Sequence, residues 1–476
     1  MAVLEGLEPR GVFKFFEKIA SIPHGSGNTK ELSDYLCSFA KERGLEYHQD
    51  EINNVIIIKE ASEGYNDAVI FQGHMDMVCE KNPGCEKDMA KEGIDLVVEG
   101  DILSAKETTL GGDDGMAVAM MLALLDDDSI KHPRLECVFT VDEETTLGGA
   151  EFIDVAPLTA KKFINLDSED EGVATISCAG GASSQATFCV KREAFEGKTI
   201  EIEISGLTGG HSGVEINKGY GSAHKDIARL CYEILREVDM RIVTIGGGSA
   251  DNVIPKQSKA VISVSDYEKT MEVIKAFEKT IKHERKFDPG YTISVKAAET
   301  DSLPMNHEST YKVVSFMHCS PNGIQELTIG MNNFPQTSLS MGIVKTTEEA
   351  VKFVFAVRSS VDTEREMVCH KLENLTVALG GEYYEEGVYP GWEFQMQSDL
   401  RDLFCEVYKE MSGKDLVVEA IHAGLECGFF SQKIPGLDCV SIGPNMRNVH
   451  TPDEYIEIGS TERVWNLVLK VLERLK

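Results

Sequence analysis

Basic residues are scarce in this sequence: Lys and Arg total 47 against 79 Asp and Glu, a formal net charge of −32. A polyanion of that size repels nucleic acid and anionic membrane surfaces, so neither is an expected partner. No apolar run approaches the ~20 residues that would span a bilayer. The opening stretch, MAVLEGLEPRGVFKFFEKIA, has no basic segment leading into an uninterrupted apolar core, so no signal peptide is expected. The twelve cysteines are scattered singly and form no CxxC; Cys79 and Cys85 are the closest pair. That spacing offers neither a disulfide framework nor a cysteine zinc module, and it fits reduced thiols in a cytoplasm. Low-complexity segments and short-period repeats are also missing. The expected location is cytoplasmic.

What is present is a long chain with ample apolar residues. At 476 residues it exceeds one ordinary hydrophobic core, and two domains are expected. The first part alternates helix and strand patterns. NTKELSDYLCSFAKERG places Leu32, Tyr35, Leu36, Phe39 and Ala40 on one helical face, with Asn28 and Glu31 at capping-box spacing. NNVIIIKE, DAVIFQG, LECVFTV and KFINL read as buried strands, and GMAVAMMLALL as an almost wholly buried helix. Such alternation predicts an α/β layer with a largely parallel sheet. Near residue 186 the pattern becomes β-α-β-β-α-β, the split βαβ order. Near residue 395 the α/β character returns. The reading is one discontinuous α/β domain, residues 1–185 and 395–476, interrupted by an inserted α+β domain, residues 186–394.

The predicted strands of the interrupted domain share a habit. Phe71–Val78 reads FQGHMDMV, so His74 and Asp76 follow one strand. Asp142, Glu143 and Glu144 follow LECVFTV, Asp167 follows KFINL, and His450 follows LDCVSIG after a loop. Asp113 and Asp114, in TLGGDDG, immediately precede the buried helix. Open α/β sheets bind ligands at the carboxyl ends of their strands, where these groups would meet. Crowded carboxylates repel one another, and divalent cations relieve that repulsion. Histidine and carboxylate ligands without cysteine suit zinc, manganese or cobalt. Two ions ~3.5–4 Å apart need a bridging carboxylate, and Asp113 on its Gly-rich turn is the natural one. Taken singly, each piece has a plainer reading. Asp113 and Asp114 would cap a helix, DEE and LDSEDEG would be acidic surface turns, and His450 a structural histidine.

The ordered set GHMDMV, TLGGDDG, VDEETTLGGA, INLDSEDEG, GGHSGVEI, NVIP, VRSS, HAGLECG and VHTPDE resembles the cocatalytic dizinc exopeptidases. That family includes carnosinases, carboxypeptidase G and aminoacylase, and the likeness is strongest to its aminoacyl-histidine (Xaa-His) dipeptidase branch. It runs in order from about residue 10 to the C-terminus. The resemblance implies a zinc-exopeptidase-like α/β catalytic domain with an inserted α+β lid/dimerisation domain, and two Zn2+ ions per subunit that Co2+ or Mn2+ could replace. His74 and Asp167 would hold one ion, Glu144 and His450 the other, and Asp113 would bridge. Asp76 would hydrogen-bond the far nitrogen of His74, fixing its tautomer. Glu143 would be the general base in a metal-dependent hydrolysis of dipeptides.

The resemblance further implies that His211, in GGHSG, donates to the oxyanion, often from the partner subunit, which makes a homodimer the expected assembly. Asn252 and Arg358 match positions that bind the far end of the substrate, and Arg358 is a natural fork for a carboxylate. Gly424 would place a backbone N–H nearby. His422 is read as structural. One departure is Asp114, where related proteins often carry Asn. Spacing does not separate it from Asp113 as the bridge, and the motif favours Asp113. A cis peptide after the bridging residue is also implied. Two other functions fit the fold: an N-acyl-amino-acid amidohydrolase, and a non-catalytic ligand-binding protein. An acidic calcium-binding protein would need no histidine.

Overall fold

The computed structural model describes residues 3–476. The chain forms two compact units, residues 1–177, 394–420 and 425–476 in the first, and 178–393 with 421–424 in the second. The first boundary therefore falls before residue 186. The strand Gly180–Cys189 is the reason: it lies between Ala350–Ser359 and Glu382–Tyr389 in a sheet of the second unit. Its small and polar residues (GGASSQATFC) carry no apolar alternation strong enough to announce a strand.

In the first unit, an eight-stranded sheet runs Glu46–Gln49, Val55–Lys59, Arg134–Thr140, Ala68–His74, Lys162–Asn165, Asp438–Ser441, Val173–Cys178, Val417–Ile421. Its centre is parallel. Ala68–His74 pairs in parallel with both Arg134–Thr140 and Lys162–Asn165, and the last pairs in parallel with Asp438–Ser441. The outer strand Val55–Lys59 is antiparallel to Arg134–Thr140. Runs such as VIIIK are buried on both faces, as helix-covered sheets require. Phe71, Phe139 and Phe163 are fully enclosed, each stabilising the fold by roughly 1.5–3 kcal/mol of transfer energy.

The helix Gly112–Asp126 is apolar on nearly every face because almost all of it is buried. It packs against the helix Arg10–Ala20 and the strand Ala68–His74. Gly73 permits that approach: a Cβ there would lie 2.5 Å from Ala117 Cβ and 2.5 Å from Asp114 Oδ2. The helix is thus pressed onto the strand immediately beside His74. The next helix differs in one detail from its sequence pattern. Lys30–Glu42 starts after Thr29 with no side-chain cap, and Asn28 instead donates to the carbonyl of Ala90, 3.1 Å away.

In the second unit, Lys198–Ser205, Ala223–Glu237, Met240–Gly246, Ser258–Val264, Tyr267–Glu284 and Thr292–Ala297 realise the β-α-β-β-α-β order. The four strands form one antiparallel sheet. Among the described residues no helix is long and apolar enough to cross a membrane.

Candidate active site

The carboxyl ends of the parallel strands carry the polar groups. His74 is the last residue of Ala68–His74, and Asp167 lies just past Lys162–Asn165. Glu143 and Glu144 form a single helical turn beyond Arg134–Thr140. His450 arrives on the loop between Met446–Arg447 and Tyr455–Glu457. Two of these loops use left-handed backbone at a non-glycine residue, Asp142 (φ 54°) and His450 (φ 63°). That conformation is unfavourable for L-residues and persists where surrounding structure enforces it.

Beneath the strand ends runs a chain of buried polar groups. Thr140 Oγ1 donates to Glu426 Oε2 (2.7 Å), as does Gln72 Nε2 (2.5 Å). Asn165 Nδ2 donates to Gln72 Oε1 at 2.7 Å, and Ser441 Oγ donates to Asn165 Oδ1 at 2.5 Å. Four adjacent strands are thereby tied together, with Gln72 and Asn165 each two residues before His74 and Asp167. A buried polar chain fixes a single arrangement where its members are satisfied; here Glu426 Oε1 is buried without a partner.

Asp113 stands between two imidazoles. Its Oδ1 is 3.1 Å from His74 Nε2, and its Oδ2 is 3.2 Å from His450 Nε2. His450 Nε2 also faces Glu144 Oε2 at 2.9 Å, and His74 Nε2 lies 3.8 Å from Asp167 Oδ1. His74, Asp113 and Glu144 offer ligand atoms within 4.8 Å of one another, and so do His74, Asp114 and Asp167. The peptide bond Asp113–Asp114 is cis. Asp114 points differently from its neighbour: Oδ2 accepts the His74 backbone N–H at 3.3 Å, while Oδ1 is buried without a partner.

The ionisation pattern reflects crowding. Burial pushes Asp114 and Asp167 well above the usual carboxylate range, and neighbouring carboxylates push in the same direction. Burial also opposes ionisation of Asp113, but His450 and His74 outweigh it and hold that carboxyl low. Burial would lower His74; the carboxylates of Asp113 and Asp76 override it and raise the imidazole well above its ordinary value. Hydrogen bonds to Asp113 and Glu144 raise His450 to about 10. Such a cluster of imidazoles and carboxylates has the donor chemistry of a divalent-cation site, where a metal replaces the protons that otherwise hold it together.

Two details extend the reading from sequence. The nearest partner of His74 Nδ1 is the main-chain carbonyl of Asp76 at 3.0 Å, with the Asp76 carboxylate 3.6 Å away. That carboxylate accepts from Ser26 Oγ at 2.7 Å and from the Glu143 backbone N–H at 3.1 Å. Asp76 therefore positions Glu143 as well as flanking His74. Glu143 itself is half-buried, and desolvation with the nearby Glu144 and Asp113 pushes its carboxyl up to about 7. A second buried carboxyl, Glu426, is raised by burial to about 8. Glu426 lies within HAGLECG, but nothing in that string separates a buried acid from its neighbours.

His211, Asn252, Arg358 and Gly424 all belong to the second unit. His211 pairs with Val253 in a two-residue ladder, and the Ser212 N–H donates to the carbonyl of Asn252 at 2.8 Å. The N–H groups of Gly213 and Val214 donate to His211 Nδ1 at 3.1 and 3.2 Å, which leaves its proton on Nε2. Burial and the charge of Arg358 lower the His211 pKa, favouring the neutral ring. Arg358 is buried; Nη1 donates to Tyr389 Oη at 3.1 Å and Nε has no partner. His422 is enclosed and held at about 3 by burial and by Arg358, with Nε2 2.8 Å from Ser338 Oγ. The side chain of Asn252 is exposed, and Gly424 is half-buried.

Residues 70–474 match Peptidase family M20/M25/M40. The chain belongs to that family. This M20 chain is 32% identical over its whole length to the cytosol non-specific dipeptidase of Escherichia coli K12, covering 99% of that protein. It is also similar to the crystal structure of aminoacylhistidine dipeptidase from Vibrio alginolyticus, with 32% identity and a TM-score of 0.96. That match covers 99% of this chain and 98% of the other. The aminopeptidase PepT structure from Bacillus cereus shares the fold at 17% identity and a TM-score of 0.57, covering 98% of this chain and 99% of the other.

Proposed function

We propose that this M20 peptidase is a dipeptidase acting on Xaa-His and related dipeptides with two divalent cations, zinc being the first choice. The observation that carries the reading is the placement of Asp113, with one carboxylate oxygen toward each imidazole Nε2. Full-length similarity to two dipeptidases supports the substrate class. His74 and Asp167 are assigned to one ion, Glu144 and His450 to the other, and Asp113 to both. Ions held there would supply positive charge for a peptide carbonyl and would make water a better nucleophile at neutral pH.

Glu143 serves as general base: it takes a proton from the attacking water and returns it to the leaving amine nitrogen. Its backbone N–H is anchored on Asp76 Oδ1 at 3.1 Å, which fixes the turn that presents the carboxylate. Neutral His211, with its proton on Nε2, is proposed as the donor to the developing oxyanion. Its neutrality rests on the lowered pKa. Arg358, with its unpartnered Nε, is proposed to bind the substrate's terminal carboxylate. Asn252 and the Gly424 N–H are assigned supporting contacts there. The inserted unit is proposed as lid and dimerisation domain of a cytoplasmic homodimer, a location consistent with the name of the Escherichia coli relative.

The test is metal content per chain, measured alongside hydrolysis of Ala-His, β-Ala-His, unrelated dipeptides and N-acetyl-His. Two ions per chain with cleavage of free dipeptides is expected. Cleavage of the acylated compound alone would replace the proposal with an amidohydrolase. Arg358→Ala is expected to raise KM by about 10-fold or more, since a charge-assisted hydrogen bond contributes ~1.5–3 kcal/mol. A dipeptide amide, lacking the carboxylate, should not feel the change. An equal loss on both substrates would remove Arg358 from that role.

A further inference from the structure

We infer that Glu454, which lies outside both the ligand set and the base, is a positioning residue that locks the Asp113 turn to the His450 loop. The inference rests on the two-ion reading above. Glu454 is 2% exposed. Its carboxylate accepts three consecutive backbone N–H groups: Leu110 to Oε2 at 2.7 Å, Gly111 to Oε2 at 3.1 Å and Gly112 to Oε1 at 2.8 Å. Those amides immediately precede Asp113. Glu454 also sits close after His450, where its own N–H donates to the carbonyl of Thr451 at 3.1 Å. The following strand, Tyr455–Glu457, pairs with Ile102–Ala105, which anchors this end of the loop.

The turn is shaped around that carboxylate. Gly111 adopts φ 69°, a left-handed value that favours glycine. A Cβ on Gly112 would lie 2.4 Å from Ile456 Cδ1 and 3.2 Å from Glu454 Oε1. The two glycines thus admit the carboxylate and its neighbour into contact with the backbone. At the other end of the turn, Thr109 Oγ1 donates to the carbonyl of Val78 at 2.7 Å. A plain reading exists: an acid near a helix start satisfies orphan N–H groups and stabilises the helix. This acid, however, comes from the loop that presents His450, and it grips the segment that presents Asp113. The 3.2 Å separation of Asp113 Oδ2 and His450 Nε2 therefore depends on it.

The plain reading and the positioning role part company in metal affinity. Glu454→Gln keeps the shape but turns an NH2 toward backbone donors, leaving at least one of them without an acceptor. Zinc titration against a chromophoric chelator resolves the two binding steps of folded protein, and the melting midpoint of metal-free protein is read in parallel. The weaker step is expected to fall about 10–100-fold, the range for groups that orient metal ligands, with the stronger step changed less. Should that variant fail to fold, Glu454→Asp, shorter but still anionic, is expected to show the same preferential loss. Wild-type affinity at both steps in folded variant, even with a lower melting midpoint, would make Glu454 a helix cap only. Failure of the wild-type protein to take up a second ion would instead overturn the two-ion reading, and this inference with it.

Discussion

Glu143→Ala is expected to lower dipeptide turnover by about 10²–10⁴-fold, the usual contribution of a positioned general acid–base group, while metal content stays at the wild-type value. The separation of the two effects follows from geometry. The Glu143 backbone N–H is held by Asp76 Oδ1 at 3.1 Å, so removing the side chain beyond Cβ leaves that anchor in place. The imidazoles that face Asp113 belong to His74 and His450, and the further carboxylates that face those imidazoles belong to Asp167 and Glu144. Deleting a half-buried acid also removes a negative charge from a crowded site, which does nothing to weaken the packing of the strands below. Steady-state kinetics with metal analysis on the same preparation provides the check. Turnover within a few-fold of wild type would exclude Glu143 as the base. Loss of metal together with turnover would make it a ligand.

Much of this site is legible in the sequence because strand ends are legible. Short apolar runs such as AVIFQG, LECVFT and KFIN stop where polar residues begin, and a parallel sheet aligns those stops. The β-α-β-β-α-β order of the second unit is legible for the same reason: each element carries its own period. What is not legible depends on contacts between distant segments. The strand Gly180–Cys189 draws its burial from neighbours on both sides rather than from its own composition. Glu454 and Glu426 look like ordinary acids until the fold buries one against three amides and the other against Gln72 and Thr140. The capping spacing at Asn28 is likewise overridden by a partner, Ala90, far along the chain.

Between the adjacent aspartates, substitution is expected to be strongly asymmetric. Asp113 is the residue whose two oxygens face two imidazoles, whereas Asp114 accepts only the His74 backbone N–H at 3.3 Å. Loss of a group that merely orients a ligand costs ~10–100-fold in metal affinity. Loss of a ligand shared by both ions must cost at least the upper end of that range. Asp113→Ala is therefore expected to weaken at least one binding step by about 100-fold or more, with hydrolysis falling in parallel. Asp114→Asn preserves an oxygen that can accept from the His74 N–H, and its NH2 occupies the position of a buried, unpartnered oxygen. Its affinity and turnover are expected within about 10-fold of wild type, the lower end of the same range. Titration of both variants with zinc, under conditions that resolve two steps in the parent protein, decides the assignment. The reverse asymmetry would move the bridge to Asp114, whose ligand atom already lies within 4.8 Å of those of His74 and Asp167. Equal losses would indicate that both carboxylates share the ions, and the paired geometry around Asp113 would then describe only the metal-free arrangement.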